Sequence, residues 1–115
     1  MRRRLLILAC LTAGACGTTT APALGLVAGS IVAVDVGISL GAPPTIHVKA
    51  TETEACGVVF LVRQGTRIRQ RLADGRSVAA TAGELTVGRR VEVRTDVILD
   101  SCPGQAGAHS IVLLP

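Results

Sequence analysis

The segment 89–97 reads RRVEVRTDV, and its apolar and charged side chains alternate with a period of two residues. In an extended chain, Val91, Val93 and Val97 share one face, and the four charged residues at positions 90, 92, 94 and 96 share the other. This alternation is typical of a strand in an antiparallel sheet that is buried on one side and solvated on the other. The segment therefore predicts a half-buried β-strand.

Similar short runs recur along the chain, separated by glycine, proline and polar clusters. We predict strands at about 27–40, 45–51, 57–63, 66–72, 76–80, 89–97 and 109–114. A bulge at Gly37 would interrupt the first run, and Gln64-Gly65 predicts a hairpin between the third and fourth. The sequence lacks a sustained helical period. Five to seven short strands at close spacing indicate an all-β domain, a sandwich or a small barrel.

The first fifteen residues are typical of an export signal. Three arginines precede the apolar run 5–13, which is far shorter than the roughly 20 residues that span a bilayer as a helix. The run ends in Ala13-Gly14-Ala15-Cys16, which resembles a bacterial lipobox. We therefore expect cleavage before Cys16 and attachment of diacylglycerol to its thiol. The alternative is ordinary secretion, with cleavage after Ala15 or Ala23 and with Cys16 incidental.

These boundaries give a signal at 1–15, a tether at 16–26 and a domain at 27–115. The expected partner is a membrane, bound through the N-terminal lipid on the extracytoplasmic face of the cell membrane or outer membrane. Removing the signal lowers the net charge from +4 to +1, with nine basic and eight acidic side chains. No nucleic-acid partner is expected, because base stacking needs aromatic platforms and Phe60 is the only aromatic residue.

Two cysteines remain in the expected mature chain beside Cys16. In an oxidising compartment, Cys56 and Cys102 predict a disulfide. Closing a loop of this length would stabilise the fold by about 3–4 kcal/mol. The alternative is a redox or metal site that adds His47 and His109, although the cysteines lack the close spacing of zinc ligands. We expect no cofactor and no metal.

Basic residues form a row in the predicted fourth strand. Arg67, Arg69 and Arg71 alternate onto one face, with Arg63 nearby. Such a row is a candidate site for an anionic ligand such as phosphate, a lipid headgroup or an acidic glycan. The alternative is a solvated face that protects an edge strand and pairs with Glu92 and Asp96.

The order of these segments resembles the YobA-like family of small bacterial exported proteins and lipoproteins. The resemblance covers about 27–114 and is carried by the segments 66–68, 84–93 and 100–111, above all by the spacing of Ser101, Pro103, Gln105 and Ala108. It implies a small OB-like β-barrel and an exported location, but no established activity. One departure is Cys102, where the family usually has a tyrosine, and a link to Cys56 would close the barrel end instead.

The sequence shows no nucleophile–base pair and no glycine loop of the kind that holds phosphates. We therefore expect a non-catalytic, lipid-anchored envelope protein that serves as a binding or structural interaction module. The sequence does not name its ligand, and the candidate partners are an envelope protein or an anionic ligand. Two alternatives remain open at this point. One is a freely secreted anion-binding module that uses the arginine row, and the other is a redox or metal module that uses Cys56 and Cys102.

Overall fold

The computed structural model describes residues 25–37 and 42–115. This part of the chain forms seven β-strands and one short 3-10 helix, Ala82–Glu84. The strands are β1 Gly25–Asp35, β2 Thr45–Lys49, β3 Val58–Leu61, β4 Arg67–Arg71, β5 Ser77–Ala79, β6 Arg90–Thr95 and β7 Gly104–Leu113. The prediction of an all-β domain is confirmed.

The strands form one sheet in the order β3-β2-β1-β6-β7-β4-β5, and a further pairing of β3 with β7 closes its first five strands into a barrel. The β3–β7 pairing is parallel, whereas β1, β2, β3 and β6 meet their other barrel neighbours in antiparallel fashion. A closed five-stranded barrel of this kind is an OB-like fold. The predicted small OB-like barrel is therefore confirmed, with β4 and β5 as two additional strands.

The predicted hairpin between the third and fourth strands is wrong. Strand β3 pairs with residues 104–107 of β7, and β4 pairs with residues 110–113 of the same strand, both in parallel. The turn at Arg63–Thr66 therefore carries the chain onward along one edge of β7 instead of reversing it. The Thr66 hydroxyl holds this turn, because it accepts a hydrogen bond from the Arg63 N–H (2.9 Å) and donates one to the Ala108 carbonyl (2.7 Å).

The barrel interior is filled by aliphatic side chains around the single aromatic residue, Phe60, which is fully buried. Val91 and Val93 of β6 face this core, as their alternation predicted. Thr95 continues the same inward face and is also fully buried. Val97 has the right spacing but is exposed, because the chain leaves the sheet after Thr95.

The first strand differs from its predicted form. It begins at Gly25 and ends at Asp35, and its irregularity lies between Ile31 and Ala33, rather than at Gly37. Because of the shift, Ile31 and Val34 lie on one face although they are three positions apart, since they pair with the buried Val48 and Ile46. Val32 is 38% exposed. Residues 38–40 of the predicted run lie outside the described residues.

The last strand is longer than predicted, because residues 104–108 belong to it despite their turn-forming composition. These small residues allow close contact with neighbouring groups. A Cβ atom at Gly107 would overlap the guanidinium group of Arg63, and one at Gly104 would lie 3.0 Å from the Ile98 side chain. The glycines therefore leave room for the segments that cross β7, and they do not end the strand.

Candidate functional site

An open groove runs over the outer surface of β2, β3 and the first half of β7. Strand β3 turns Phe60 inward, so Val59 and Leu61 face outward and form an apolar floor. Their paired neighbours Gln105 and Gly107 continue this floor across β7. The groove has a volume of about 490 Å³, which is within the usual range for ligand sites. We call it the outer groove.

The loop between β6 and β7, residues 96–103, forms one wall of the outer groove. Val97 and Leu99 line this wall and remain 74% and 62% exposed. The Leu99 N–H donates a hydrogen bond to the carbonyl oxygen of Gln105 at 2.8 Å, which fixes the loop against β7. Covering large apolar side chains on a fixed loop lowers the free energy of the system. This wall is therefore suited to contact with a partner.

A disulfide between Cys56 and Cys102 ties the far end of this loop to the segment before β3. The Cα atoms of the two residues are 4.9 Å apart. The predicted disulfide is confirmed. Both thiols are consumed in this bond, so neither is free to bind a metal. Among residues 25–37 and 42–115, no group of three metal-ligating side chains lies together.

His47 supports the same region from the β2 side. Its Nε2 atom lies 2.7 Å from the carbonyl oxygen of Cys56, and the side chain is partly buried. A carbonyl oxygen only accepts hydrogen bonds, so Nε2 carries the proton and donates it. His47 is therefore a structural contact to the disulfide segment, whereas His109 is exposed on β7.

One charged pair closes an end of the outer groove. The Arg63 guanidinium crosses Gly107 and meets the Asp96 carboxylate at 3.3 Å, with the two side chains 52% and 51% exposed. An ion pair this exposed contributes about 0–1 kcal/mol. It can open at little cost, and Arg63 and Asp96 would then be available to polar groups of a ligand.

The remaining arginines of the predicted row lie elsewhere on the barrel. Arg67, Arg69 and Arg71 point outward from β4, on the side opposite Ile68, which packs against the core. Arg69 donates to the hydroxyl and carbonyl oxygens of Ser77 at 2.7 and 2.9 Å. Arg71 lies 3.3 Å from Glu92. The structure thus separates Arg63, which belongs to the outer groove, from the three arginines of β4.

Sequence reasoning missed Arg90 and Arg94 as neighbours of this row. Both point outward from β6, because Val91 and Val93 point inward. Strand β7 lies between β6 and β4 and pairs with both. The alternation of segment 89–97 already placed the two arginines on a solvated face, but only the strand order shows that this face continues to β4.

Several predicted features lie outside the site or outside the described residues. The lipidation candidate Cys16 and the signal at 1–15 are not among the described residues. Phe60 is in the core, so it offers no surface for stacking a base. The Ser101 hydroxyl donates to the Pro103 carbonyl at 2.7 Å. Within the described ranges, no helix has the length and hydropathy to cross a bilayer.

Comparison of the chain with protein-family models, with curated proteins and with solved structures finds no match. The resemblance to the YobA-like family therefore stays an expectation from the segments quoted above, while the OB-like barrel stands on the strand order and pairing.

Proposed function

We propose that this protein is a lipid-anchored, non-catalytic binding module of the bacterial envelope, and that its outer groove takes an apolar segment of a partner protein. The observation that carries the binding role is the exposed wall formed by Val97 and Leu99 above the floor of Val59 and Leu61. The groove is open along its length, so it suits a segment of a larger molecule better than an enclosed small ligand.

Two further features support this proposal. The Cys56–Cys102 disulfide is typical of proteins in oxidising compartments, in agreement with the export signal and the lipobox-like ending at Cys16. The same bond holds the wall of the groove in place before a partner arrives. A preformed wall loses less conformational entropy on binding than a mobile loop would.

The anchor is tested by labelling cells with radioactive palmitate. We expect label in the protein, and its loss in Cys16→Ala together with release from the membrane fraction. If the unaltered protein takes up no label and the Cys16→Ala variant keeps the same location, the anchor is contradicted. The binding role is not tested by this experiment.

The binding role is tested with a matched pair of exposed valines. Val97→Asp places a carboxylate on the groove wall, and Val87→Asp makes the same change at a loop position that is 64% exposed and does not line the groove. Proteins captured from solubilised membranes should be lost with Val97→Asp and retained with Val87→Asp. Capture that both variants retain, or that both lose, would contradict a role for the groove.

A further inference from the structure

A second surface of the barrel concentrates positive charge. It is the outer face of β1, β6, β7 and β4, and its first row consists of residues paired across the four strands. Leu26 pairs with Arg94, Arg94 with Ser110, and Ser110 with Arg67. Further along the same strands the face also carries Arg69, Arg71, Arg90 and Glu92. We call this surface the basic face.

The basic face holds a much larger share of the basic side chains of the chain than of its acidic side chains. The expected mature chain has nine basic and eight acidic side chains, and this one face holds five of the nine but only Glu92 of the eight. Glu92 is engaged by Arg71. Within the part of the chain that the structure describes, no ion pair or side-chain hydrogen bond involves Arg67, Arg90 or Arg94. Their charges are therefore available to an external anion.

The position of the expected anchor relates this face to the membrane. Cys16 and the eight residues after it, nine residues in all, precede the start of β1 at Gly25. Fully extended, nine residues reach at most about 30 Å. The chain enters the barrel beside Leu26, at the end of the basic face where Arg94 and Arg67 lie. A lipid on Cys16 would hold this end of the barrel close to the headgroups.

We propose that the basic face rests on the anionic phospholipid headgroups of the membrane that holds the anchor. This inference depends on the proposed lipidation of Cys16. Arg67 and Arg94 bind phosphate groups through paired N–H donors, and Leu26, which is 57% exposed and lies beside Arg94 at the end of the row, enters the headgroup region. The outer groove uses residues 105–107 of β7 with β2 and β3, whereas the basic face uses Ser110 of β7 with β1, β6 and β4, so the groove stays open to a partner while the barrel is docked.

The docking is tested by chemical labelling of arginines on vesicles. The purified exported protein is reconstituted on phosphatidylcholine vesicles, with or without phosphatidylglycerol, and treated with an arginine-selective dicarbonyl reagent. Peptide mass spectrometry then gives the labelling rate of each arginine. We expect Arg67 and Arg94 to react about fivefold more slowly with phosphatidylglycerol present, with high salt restoring the rate. Arg76, 73% exposed on a turn, should react equally on both vesicles. Equal rates at all three would overturn the docking.

A matched pair of variants provides the control. Arg67→Gln with Arg94→Gln lowers the net charge of the basic face by two, and Arg76→Glu lowers the net charge by two on an exposed turn outside that face. Protection of Arg90 should be lost in the first variant and kept in the second. Loss in both, or in neither, would contradict the proposal. If the first variant fails to fold, the arginine labelling rates of the unaltered protein on the two kinds of vesicle still test the docking.

Two further measurements distinguish a membrane surface from a small-anion site, and failure of the docking from failure of the anchor. Glycerol phosphate in solution, at the same phosphate concentration, should protect neither Arg67 nor Arg94, and equal protection would replace the membrane surface with a small-anion site. The intact mass shows whether Cys16 is acylated. If it is not, protection by excess phosphatidylglycerol vesicles would uphold the docking while the anchor fails. Acylated protein without protection would uphold the anchor and overturn the docking.

Discussion

Removal of the disulfide should cost this small barrel a large part of its stability. Cys56→Ala combined with Cys102→Ala abolishes the bond without leaving a free thiol at either position. The bond spans a sequence separation of 46, for which the chain-entropy model gives about 4 kcal/mol at 25 °C. Cys102 is exposed and Cys56 only partly buried, so lost packing adds little. For a domain of this size the midpoint of thermal unfolding should fall by roughly 15–30 °C.

The measurement is urea unfolding followed by far-ultraviolet circular dichroism, because the chain has no tryptophan or tyrosine for fluorescence. The slope of the free energy against urea should rise in the variant, since the unfolded chain without its link exposes more surface. Reductant should destabilise the unaltered protein to the same extent and leave the double variant unchanged. A double variant within about 1 kcal/mol of the unaltered protein would refute the loop-entropy argument.

Three smaller changes test other contacts. Thr95→Val should lower the free energy of unfolding by about 1 kcal/mol, because the buried hydroxyl donates to the Gly107 carbonyl at 3.0 Å; an unchanged urea midpoint would contradict this. Gly29→Ala should lower it by about 1–3 kcal/mol or more, since its Cβ would overlap a backbone carbonyl of β2, and equal stability would show that the strands can separate freely. The backbone N–H and guanidinium of Arg76 hold the pKa of Asp74 below its ordinary value. Arg76→Ala should raise that pKa part of the way in an NMR titration, because the backbone donor remains. The stabilisation from Asp74 is present above the unfolded-state pKa and lost as the pH falls through the lower folded-state pKa.

Local pattern was a sound guide wherever strand pairing stayed regular. Segment 89–97 placed Val91 and Val93 in the core because a regular strand turns every second side chain inward. The same rule misled in β1, where the irregularity between Ile31 and Ala33 changes the register of pairing with β2. Such a shift depends on the partner strand, and the composition of β1 does not reveal it.

The disulfide and the outer groove also differ in how far the sequence predicted them. The pairing of Cys56 with Cys102 was predictable by elimination once the signal was set aside. The outer groove was not, because Leu61 and Val97 come together only when β3 pairs in parallel with β7 and the loop after β6 folds back over that pair. The placement of Arg63 also depends on this, since only Gly107 leaves space for its guanidinium beside Asp96.

The sequence by itself determined the all-β class, the apolar faces of the regular strands, the disulfide partners and the outward direction of the arginines. These follow from side-chain period and cysteine count, which are local properties of the chain. The tertiary structure alone decided that β3 and β4 both pair with β7, and that β6 lies on its other side. These neighbours are distant in sequence, and pairing across a closed barrel is what brings Arg94 and Arg67 onto one face.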